Sequence, residues 1–125
     1  MPRKKVLVVD DSGTARMLEQ AALSRGPYDV ITAKDGAEGV AKAAAEKPDL
    51  ILMDVMMPNM GGFDAVRAIR ANDSIKATPV IMVTTRGEPQ NVEQGFAAGA
   101  TDYVTKPVDA VELLAKVRNI LGDAR

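Results

Sequence analysis

The segment from Leu50 to Gly62 reads "LILMDVMMPNMGG", and its composition decides the fold. An apolar run, "LILM", is followed directly by a single carboxylate, Asp54. Such a run, closed soon afterwards by a proline and a glycine pair, is typical of a strand that is covered on both faces. A lone charge at the end of a buried strand is costly unless neighbouring groups compensate it.

Four further segments of the chain predict strands. Two of them contain "VLVV" and "VIMV", which are apolar at every position. Strands of a parallel sheet have this pattern because helices cover both faces of the sheet. The five predicted strands are Lys5–Val9, Tyr28–Ala33, Leu50–Met53, Val80–Val83 and Asp102–Thr105.

Helical periodicity fills the intervals between these strands. In the first helix, Ala15, Leu18 and Ala22 share one face, which is the predicted buried face. Asp35 and Glu38 predict an N-terminal capping box for the second helix. The alternation predicts an α/β fold: a doubly wound, five-stranded parallel sheet with five helices on its two faces. The predicted helices are Thr14–Ser24, Ala37–Glu46, Phe63–Ala71, Gln90–Ala98 and Ala110–Leu121.

Length and composition limit the size and the chemistry of the protein. The 125 residues suffice for one compact domain. The formal net charge of −1 gives no reason to expect direct binding to nucleic acid or to a membrane surface. The chain has no Cys and no His, which excludes disulfides, histidine catalysis and Cys/His metal sites. No segment has transmembrane length, and we expect a cytoplasmic location.

Polar side chains follow four of the five predicted strands at the same end. Asp10 and Asp11 follow the first strand and Asp54 the third. If the first and third strands are neighbours, two carboxylates about 5 Å apart repel by about 3 kcal/mol at an effective dielectric constant near 20. Such crowding calls for a cation, and Mg²⁺ together with the ammonium group of Lys106 would supply it.

This set of groups predicts a phosphoryl-transfer site. A carboxylate can act as the nucleophile and form an aspartyl phosphate, while Mg²⁺ and a lysine neutralise the phosphoryl oxygens. Asp54 is the predicted nucleophile because it stands alone at the end of its strand. The hydroxyl group of Thr84, at the end of the fourth strand, can donate to the arriving phosphoryl group.

Five separated motifs resemble the receiver domain of CheY-like response regulators, in order and over essentially the whole chain. They are "VVDD" (Val8–Asp11), "LMDVMMP" (Leu52–Pro58), "GG" (Gly61–Gly62), "VTT" (Val83–Thr85) and "DYVTKP" (Asp102–Pro107). The resemblance implies a flavodoxin-like strand order of 2-1-3-4-5 and a role in two-component signal transduction. It also implies a receiver domain that spans residues 1–125 without an output domain.

The resemblance assigns a role to each matching residue. Asp54 matches the phosphoacceptor, and Asp10 and Asp11 match the acidic pair that organises Mg²⁺. The backbone carbonyl group of Met56 matches a further metal ligand. The remaining matches are Thr84 as the switch hydroxyl, Lys106 as the lysine that contacts the phosphoryl group, Tyr103 as the aromatic switch residue and Pro107 as a proline that follows a cis peptide bond.

This sequence departs from the family pattern beside the phosphoacceptor. Thr85 occupies a position that is commonly Ala or Gly, and it narrows access to the phosphoryl group. Met56 and Arg86 occupy variable positions that resemble those tuning hydrolysis. These departures leave phosphorylation in place and leave the lifetime of the phosphoryl group open.

The resemblance also implies partners. The phosphodonor would be a histidine kinase or a histidine phosphotransfer protein, and the output would be protein contact without direct nucleic-acid binding. The expected output face surrounds Tyr103 and includes Gln94 of the fourth helix and Lys116 of the last helix. A second copy of the chain is one partner that this face could take. Gly95 and Gly99 weaken the fourth helix, as expected for a segment that shifts.

Three other readings of the sequence remain. A Mg²⁺-dependent phosphohydrolase would usually have a second carboxylate two residues after the nucleophile, where this chain has Met56. A flavodoxin-like FMN carrier would place phosphate at "DSGT", where Asp10 and Asp11 would repel it, and the chain has no Trp to stack on the flavin. A degenerate receiver acting as a scaffold would not need the complete acidic set with Thr84 and Lys106.

Overall fold

The computed structural model describes residues 3–57, 60–85 and 88–122. Five strands alternate with five helices along these residues. In chain order the elements are β1 (Lys4–Val9), α1 (Gly13–Leu23), β2 (Tyr28–Ala33), α2 (Gly36–Glu46), β3 (Leu50–Asp54), α3 (Gly62–Ala71), β4 (Val80–Thr85), α4 (Pro89–Ala98), β5 (Asp102–Lys106) and α5 (Ala110–Leu121).

The strands form one parallel sheet in the order β2-β1-β3-β4-β5. This confirms the predicted fold class and the strand order implied by the family resemblance. Several strands run slightly further than the sequence predicted. As a result, Asp54, Thr84 and Lys106 lie within the last residues of strands, where the sheet fixes their backbone positions.

The sheet separates two apolar clusters, as its fully apolar strands predicted. Alternate residues of β1 and β3 point to opposite faces. Leu7 and Ile51 join the cluster beneath α2 and α3, whereas Val6 and Leu52 join the cluster beneath α1 and α5. Burial on both faces explains why these strands have no polar alternation.

The predicted buried face of α1 is wrong at one position. Leu18 is 61% exposed, whereas the adjacent Glu19 is 1% exposed. Ala22 fits two helical stripes, one with Leu18 and one with Glu19, so the periodicity alone did not distinguish them. Packing of α1 against β1 and α5 selects the second stripe and buries the carboxyl group of Glu19.

Local signals fix two helix starts near the carboxyl edge. Asp35 caps α2 by accepting a hydrogen bond from the backbone N–H of Glu38 at 2.8 Å, which confirms the predicted cap. Glu38 accepts from the backbone N–H of Lys34, one residue before the position that a capping box requires. At Gly62, a Cβ atom would lie 2.1 Å from the carbonyl oxygen of Asp54, so glycine is required where α3 meets the end of β3.

Among the described residues, none of the helices combines the length and apolar character that crossing a bilayer requires.

Candidate functional site

The predicted site residues meet at the carboxyl edge of the sheet. Val9 pairs with Met53 across β1 and β3, so Asp10 and Asp54 come next at neighbouring strand ends. Val83 of β4 pairs with Asp54 and therefore places Thr84 just beyond it. Thr85 pairs with Lys106 at the end of β5. The register of the parallel sheet thus gathers groups that are far apart in the sequence.

Lys106 links the two buried carboxylates. Its Nζ atom lies 3.3 Å from Oδ2 of Asp10 and 3.3 Å from Oδ1 of Asp54. Asp10 is fully buried and Asp54 is 4% exposed, while the Lys106 side chain is partly exposed. The Lys106–Pro107 peptide bond is cis, as the family resemblance implied. The single positive charge of Lys106 therefore faces two carboxylates, and the site keeps a net negative charge.

The charges of this cluster shift one another's pKa values. Burial, reinforced by the negative charge of Asp10, raises the pKa of Asp54 to about 6 although Lys106 opposes the shift. Burial alone would lower the pKa of Lys106, but the carboxylates of Asp54 and Asp10 outweigh it and raise this pKa. Lys106 therefore stays protonated, and Asp54 holds a less stable negative charge than an ordinary aspartate.

Three carboxylates form a set that fits a hard cation. Oxygen atoms of Asp10, Asp11 and Asp54 lie within 4.8 Å of one another. Oδ1 of Asp10 accepts a hydrogen bond from the backbone N–H of Ser12 at 3.0 Å, which orients this carboxylate. Beyond its ion pair with Lys106, its Oδ2 atom makes no hydrogen bond among the described residues. These three side chains offer only oxygen ligands, which Mg²⁺ prefers. Asp11 is exposed, which leaves room for the several water molecules that bound Mg²⁺ keeps.

Glu19 is an ionisable residue beside the site that the helical pattern of α1 did not single out. Its carboxyl group is buried in α1, and burial followed by the charge of Asp10 raises its pKa to about 9. One sequence signal could have indicated this burial. Glu19 lies three and four residues before Ala22 and Leu23, so an acidic residue falls on an apolar stripe of the helix. A fourth carboxyl group therefore lies behind the acidic triad.

Thr84 and Tyr103 flank a cavity next to the site. Thr84 is 1% exposed, and its Oγ1 atom has no hydrogen-bond partner among the described residues. A cavity of about 450 Å³ is lined by both residues together with Thr85 and Glu88. The Thr84 hydroxyl group thus retains a free hydrogen-bonding capacity, and space exists on the side of Tyr103.

Tyr103 is partly buried and held by two neighbours. Its ring packs edge-on against Phe96 of α4, with 6.3 Å between the ring centroids. The Nζ atom of Lys116 of α5 lies 4.6 Å from the centre of the same ring and also pairs with Asp102 at 3.3 Å. Tyr103 therefore connects the strand end to both α4 and α5.

The remaining predicted positions lie at the rim of the site. The side chain of Met56 is exposed, as is Thr85, and the role of the Met56 carbonyl group stays a prediction. Gln94 is exposed on α4, within the predicted output face. Arg86 lies outside the described residues.

Comparisons with known proteins agree on one family. The sequence model of the response regulator receiver domain family matches residues 6–118 of this chain. PilH of Pseudomonas aeruginosa is 41% identical over 118 residues, which cover 94% of this chain and 98% of that protein. Several transcriptional regulators are also similar, but this chain spans only about half of their length (48–49%).

Solved structures are similar over nearly the whole chain. The chemotaxis response regulator CheY4 of Vibrio cholerae has a TM-score of 0.88 and 40% identity, with 96% of this chain and 100% of that chain covered. The receiver domain of the sensor histidine kinase PA1611 of Pseudomonas aeruginosa has a TM-score of 0.89 and 30% identity, with 98% and 100% covered. That structure has a magnesium ion coordinated in its active-site cleft.

Proposed function

This chain belongs to the response regulator receiver domain family of two-component signalling, and from that premise we propose that Asp54 is its phosphoacceptor. One observation carries the proposal. Asp54 is a buried carboxylate at a strand end, it lies 3.3 Å from a lysine ammonium group, and two further carboxylates crowd it. Like charges this close need a counter-ion or a shifted pKa, and a cation beside a carboxylate nucleophile and a lysine is the arrangement that phosphoryl transfer uses.

Mg²⁺ would be held by Asp10, Asp11 and Asp54, with the carbonyl oxygen of Met56 as a further ligand. When bound, it neutralises charge on the phosphoryl oxygens. The exposed Asp11 provides the open edge at which waters and phosphoryl oxygens can enter the metal shell.

The protein's own groups position the phosphoryl group. An Oδ atom of Asp54 attacks phosphorus as the bond from phosphorus to the donor breaks, and the donor takes up a proton as it leaves. Lys106, already close to Oδ1 of Asp54, stabilises the transferred negative charge. Transfer ends on the protein itself, so the chain acts as a binding module controlled by phosphorylation.

Thr84 and Tyr103 would convert phosphorylation into a change of surface. The Thr84 hydroxyl group, which has no hydrogen-bond partner among the described residues, can donate to a phosphoryl oxygen. Movement of Thr84 toward Asp54 would enlarge the adjoining cavity, and Tyr103 can rotate into that space. The rotation would break its contacts with Phe96 and Lys116 and repack the α4–β5–α5 face, shifting a population between two packings.

A histidine kinase or a histidine phosphotransfer protein would supply the phosphoryl group, since receiver domains are phosphorylated by histidine kinases. The α4–β5–α5 face, including Gln94 and Lys116, would bind a downstream protein or a second copy of the chain.

Phosphorylation by acetyl phosphate with Mg²⁺, followed by intact-protein mass spectrometry, tests the assignment. The wild-type protein is expected to gain one phosphoryl group, and Asp54→Ala is expected to gain none. Asp64→Ala is the matched control because it removes an exposed aspartate of α3 that pairs only with Arg67 among the described residues. Equal labelling of Asp54→Ala and wild type would place the phosphoryl group elsewhere and refute the proposal.

A further inference from the structure

The loop between β1 and α1 carries two of the proposed metal ligands, Asp10 and Asp11. The backbone of Asp10 is held on both sides, since its N–H group donates to the carbonyl oxygen of Ala33 of β2 at 3.1 Å. Its carbonyl oxygen accepts a hydrogen bond from Nη1 of Arg16 of α1 at 2.8 Å. Neither the proposed phosphoryl transfer nor the proposed switch gives this arginine a role. It fixes the carbonyl group through which the chain passes from one ligand to the next.

Arg16 holds the chain on both sides of Asp11. Because a peptide unit is planar, fixing the carbonyl group of Asp10 also fixes the plane that ends at the Cα atom of Asp11. On the other side, the backbone N–H of Arg16 donates to the carbonyl oxygen of Ser12 at 2.9 Å. The hydroxyl group of Ser12 caps the same helix by accepting from the backbone N–H of Ala15 at 3.2 Å. The exposed carboxylate of Asp11 therefore extends from a backbone that one residue of α1 brackets.

We propose that Arg16 is a positioning residue for Mg²⁺, which holds the backbone of Asp11 in place before the metal binds. The proposal rests on the proposed function, in which Asp11 is a metal ligand. Ordering a backbone residue at the moment of binding weakens affinity, so a loop that is ordered in advance binds more tightly. The charged guanidinium group suits this task, because its hydrogen bond to a carbonyl oxygen is stronger than one between neutral groups.

The positive charge of Arg16 has the opposite effect, since it would repel a cation nearby. Arg16 is partly exposed, so solvent screens this repulsion. Positioning and charge therefore predict opposite results when the arginine is removed: weaker Mg²⁺ binding if positioning dominates, and tighter binding if charge does.

Nuclear magnetic resonance titration of the full chain with magnesium chloride measures this affinity from the backbone amides of Asp11 and Ser12. Arg16→Met keeps the backbone N–H but removes the guanidinium group, and its Kd for Mg²⁺ is expected to rise about tenfold. Arg16→Lys keeps a cationic donor without the planar fork, and its Kd should rise only about threefold. Arg25→Met, which removes an exposed arginine just past the end of α1, should bind Mg²⁺ like the wild type.

Two further measurements distinguish positioning from a general loss of stability. In the metal-free wild type, the amide order parameter of Asp11 should be about 0.85, as in a rigid backbone, and in Arg16→Met it should fall toward about 0.6. Labelling of Asp54 by acetyl phosphate should need about tenfold more Mg²⁺ for half of its maximal rate in Arg16→Met, with the maximal rate unchanged. A merely structural role would lower the resistance to urea and leave the Mg²⁺ affinity of the folded protein as it is.

An unchanged or lower Kd in Arg16→Met would overturn the proposal. So would a low order parameter for Asp11 in the wild type, a result that does not depend on how well the variant folds. Equal Mg²⁺ affinity of Asp11→Ala and wild type would instead refute the proposed metal ligand. Loss of affinity in Asp11→Ala without loss in Arg16→Met would refute the positioning role and leave the proposed function intact.

Discussion

At the scale of single residues, the site places one cationic side chain, Lys106, among several carboxyl groups. Lys106 cannot fully offset Asp10 and Asp54 together, and burial adds a desolvation cost for the charged form. The raised pKa of Asp54, about 6, expresses that cost. The metal-free protein is therefore expected to be destabilised by the group that it needs for phosphoryl transfer.

Asp54→Asn is expected to raise the free energy of unfolding of the metal-free protein near neutral pH by about 2 kcal/mol. A carboxyl group whose pKa is higher in the folded than in the unfolded state binds its proton more tightly when folded. Ionisation therefore costs the wild type stability as the pH rises from about 4 to about 6. The two proteins should converge below about pH 4, where Asp54 is protonated in both states.

Urea denaturation in a chelating buffer at both pH values measures this difference. Asp64→Asn, at an exposed aspartate, should match the wild type at each pH. A lower stability of Asp54→Asn near neutral pH would mean that the ion pair with Lys106 outweighs the cost of burial.

At the scale of elements, the two ends of α4 are held differently. Arg70 of α3 donates from Nε to the carbonyl oxygen of Gly99 at 2.9 Å, just past the end of α4. A Cβ atom at Gly95 would lie 3.2 Å from Cγ of Met82, so this glycine also permits close packing on β4. At the other end of the helix, the side chain of the N-cap residue Glu88 makes no capping hydrogen bond. The C-terminal half of α4 is thus the anchored half, and Gly95 does more than weaken the helix.

Arg70→Met is expected to lower the free energy of unfolding by about 2 kcal/mol. In addition to its hydrogen bond to Gly99, the guanidinium group of Arg70 donates to the carbonyl oxygens of Lys76 and Thr78. The substitution removes the donor from all these carbonyl oxygens. Arg67→Met is the matched control on the same helix, because Arg67 pairs only with exposed Asp64 among the described residues. Urea denaturation would contradict the anchoring role if the two variants lost similar stability.

Thr84→Ala is expected to confine the response to beryllofluoride, a mimic of the phosphoryl group. In the wild type, backbone amide shifts should spread from Asp54 to Tyr103 and the N-terminal half of α4. The variant lacks the hydroxyl group that the phosphoryl group would draw inward, so its shifts should stay near Asp54. Thr101→Ala, which removes a hydroxyl group at the opposite end of β5, should respond like the wild type. An undiminished response in Thr84→Ala would exclude this switching route.

At the scale of the whole molecule, the arrangement of the sheet makes the stability of the fold depend on metal binding. Carboxylates from two different strands crowd at one edge, so a cation there bridges β1 and β3 in the folded state. A ligand that binds the folded state alone raises the free energy of unfolding by mass action. Mg²⁺ should therefore stabilise the fold as a unit.

Millimolar Mg²⁺ is expected to raise the Tm of the wild-type protein by several degrees, equivalent to about 1–2 kcal/mol. Asp11→Ala should lose most of this increase because it removes a proposed ligand. Asp73→Ala, at a highly exposed aspartate paired with Lys76, should retain it. Thermal melts with and without Mg²⁺ measure the effect, and a full increase in Asp11→Ala would remove Asp11 from the metal shell.

The sequence by itself determined the elements and the residues at the strand ends. Apolar runs, helical periodicity and turn residues are local signals, and they located Asp54 at the end of a buried strand. Only the tertiary structure decided which side chains meet. Lys106 lies within 3.3 Å of both Asp10 and Asp54 because the sheet order and register bring three strand ends together. The burial of Glu19 in place of Leu18 depends on the rotation of α1 against the sheet, which packing sets and a repeating pattern leaves ambiguous.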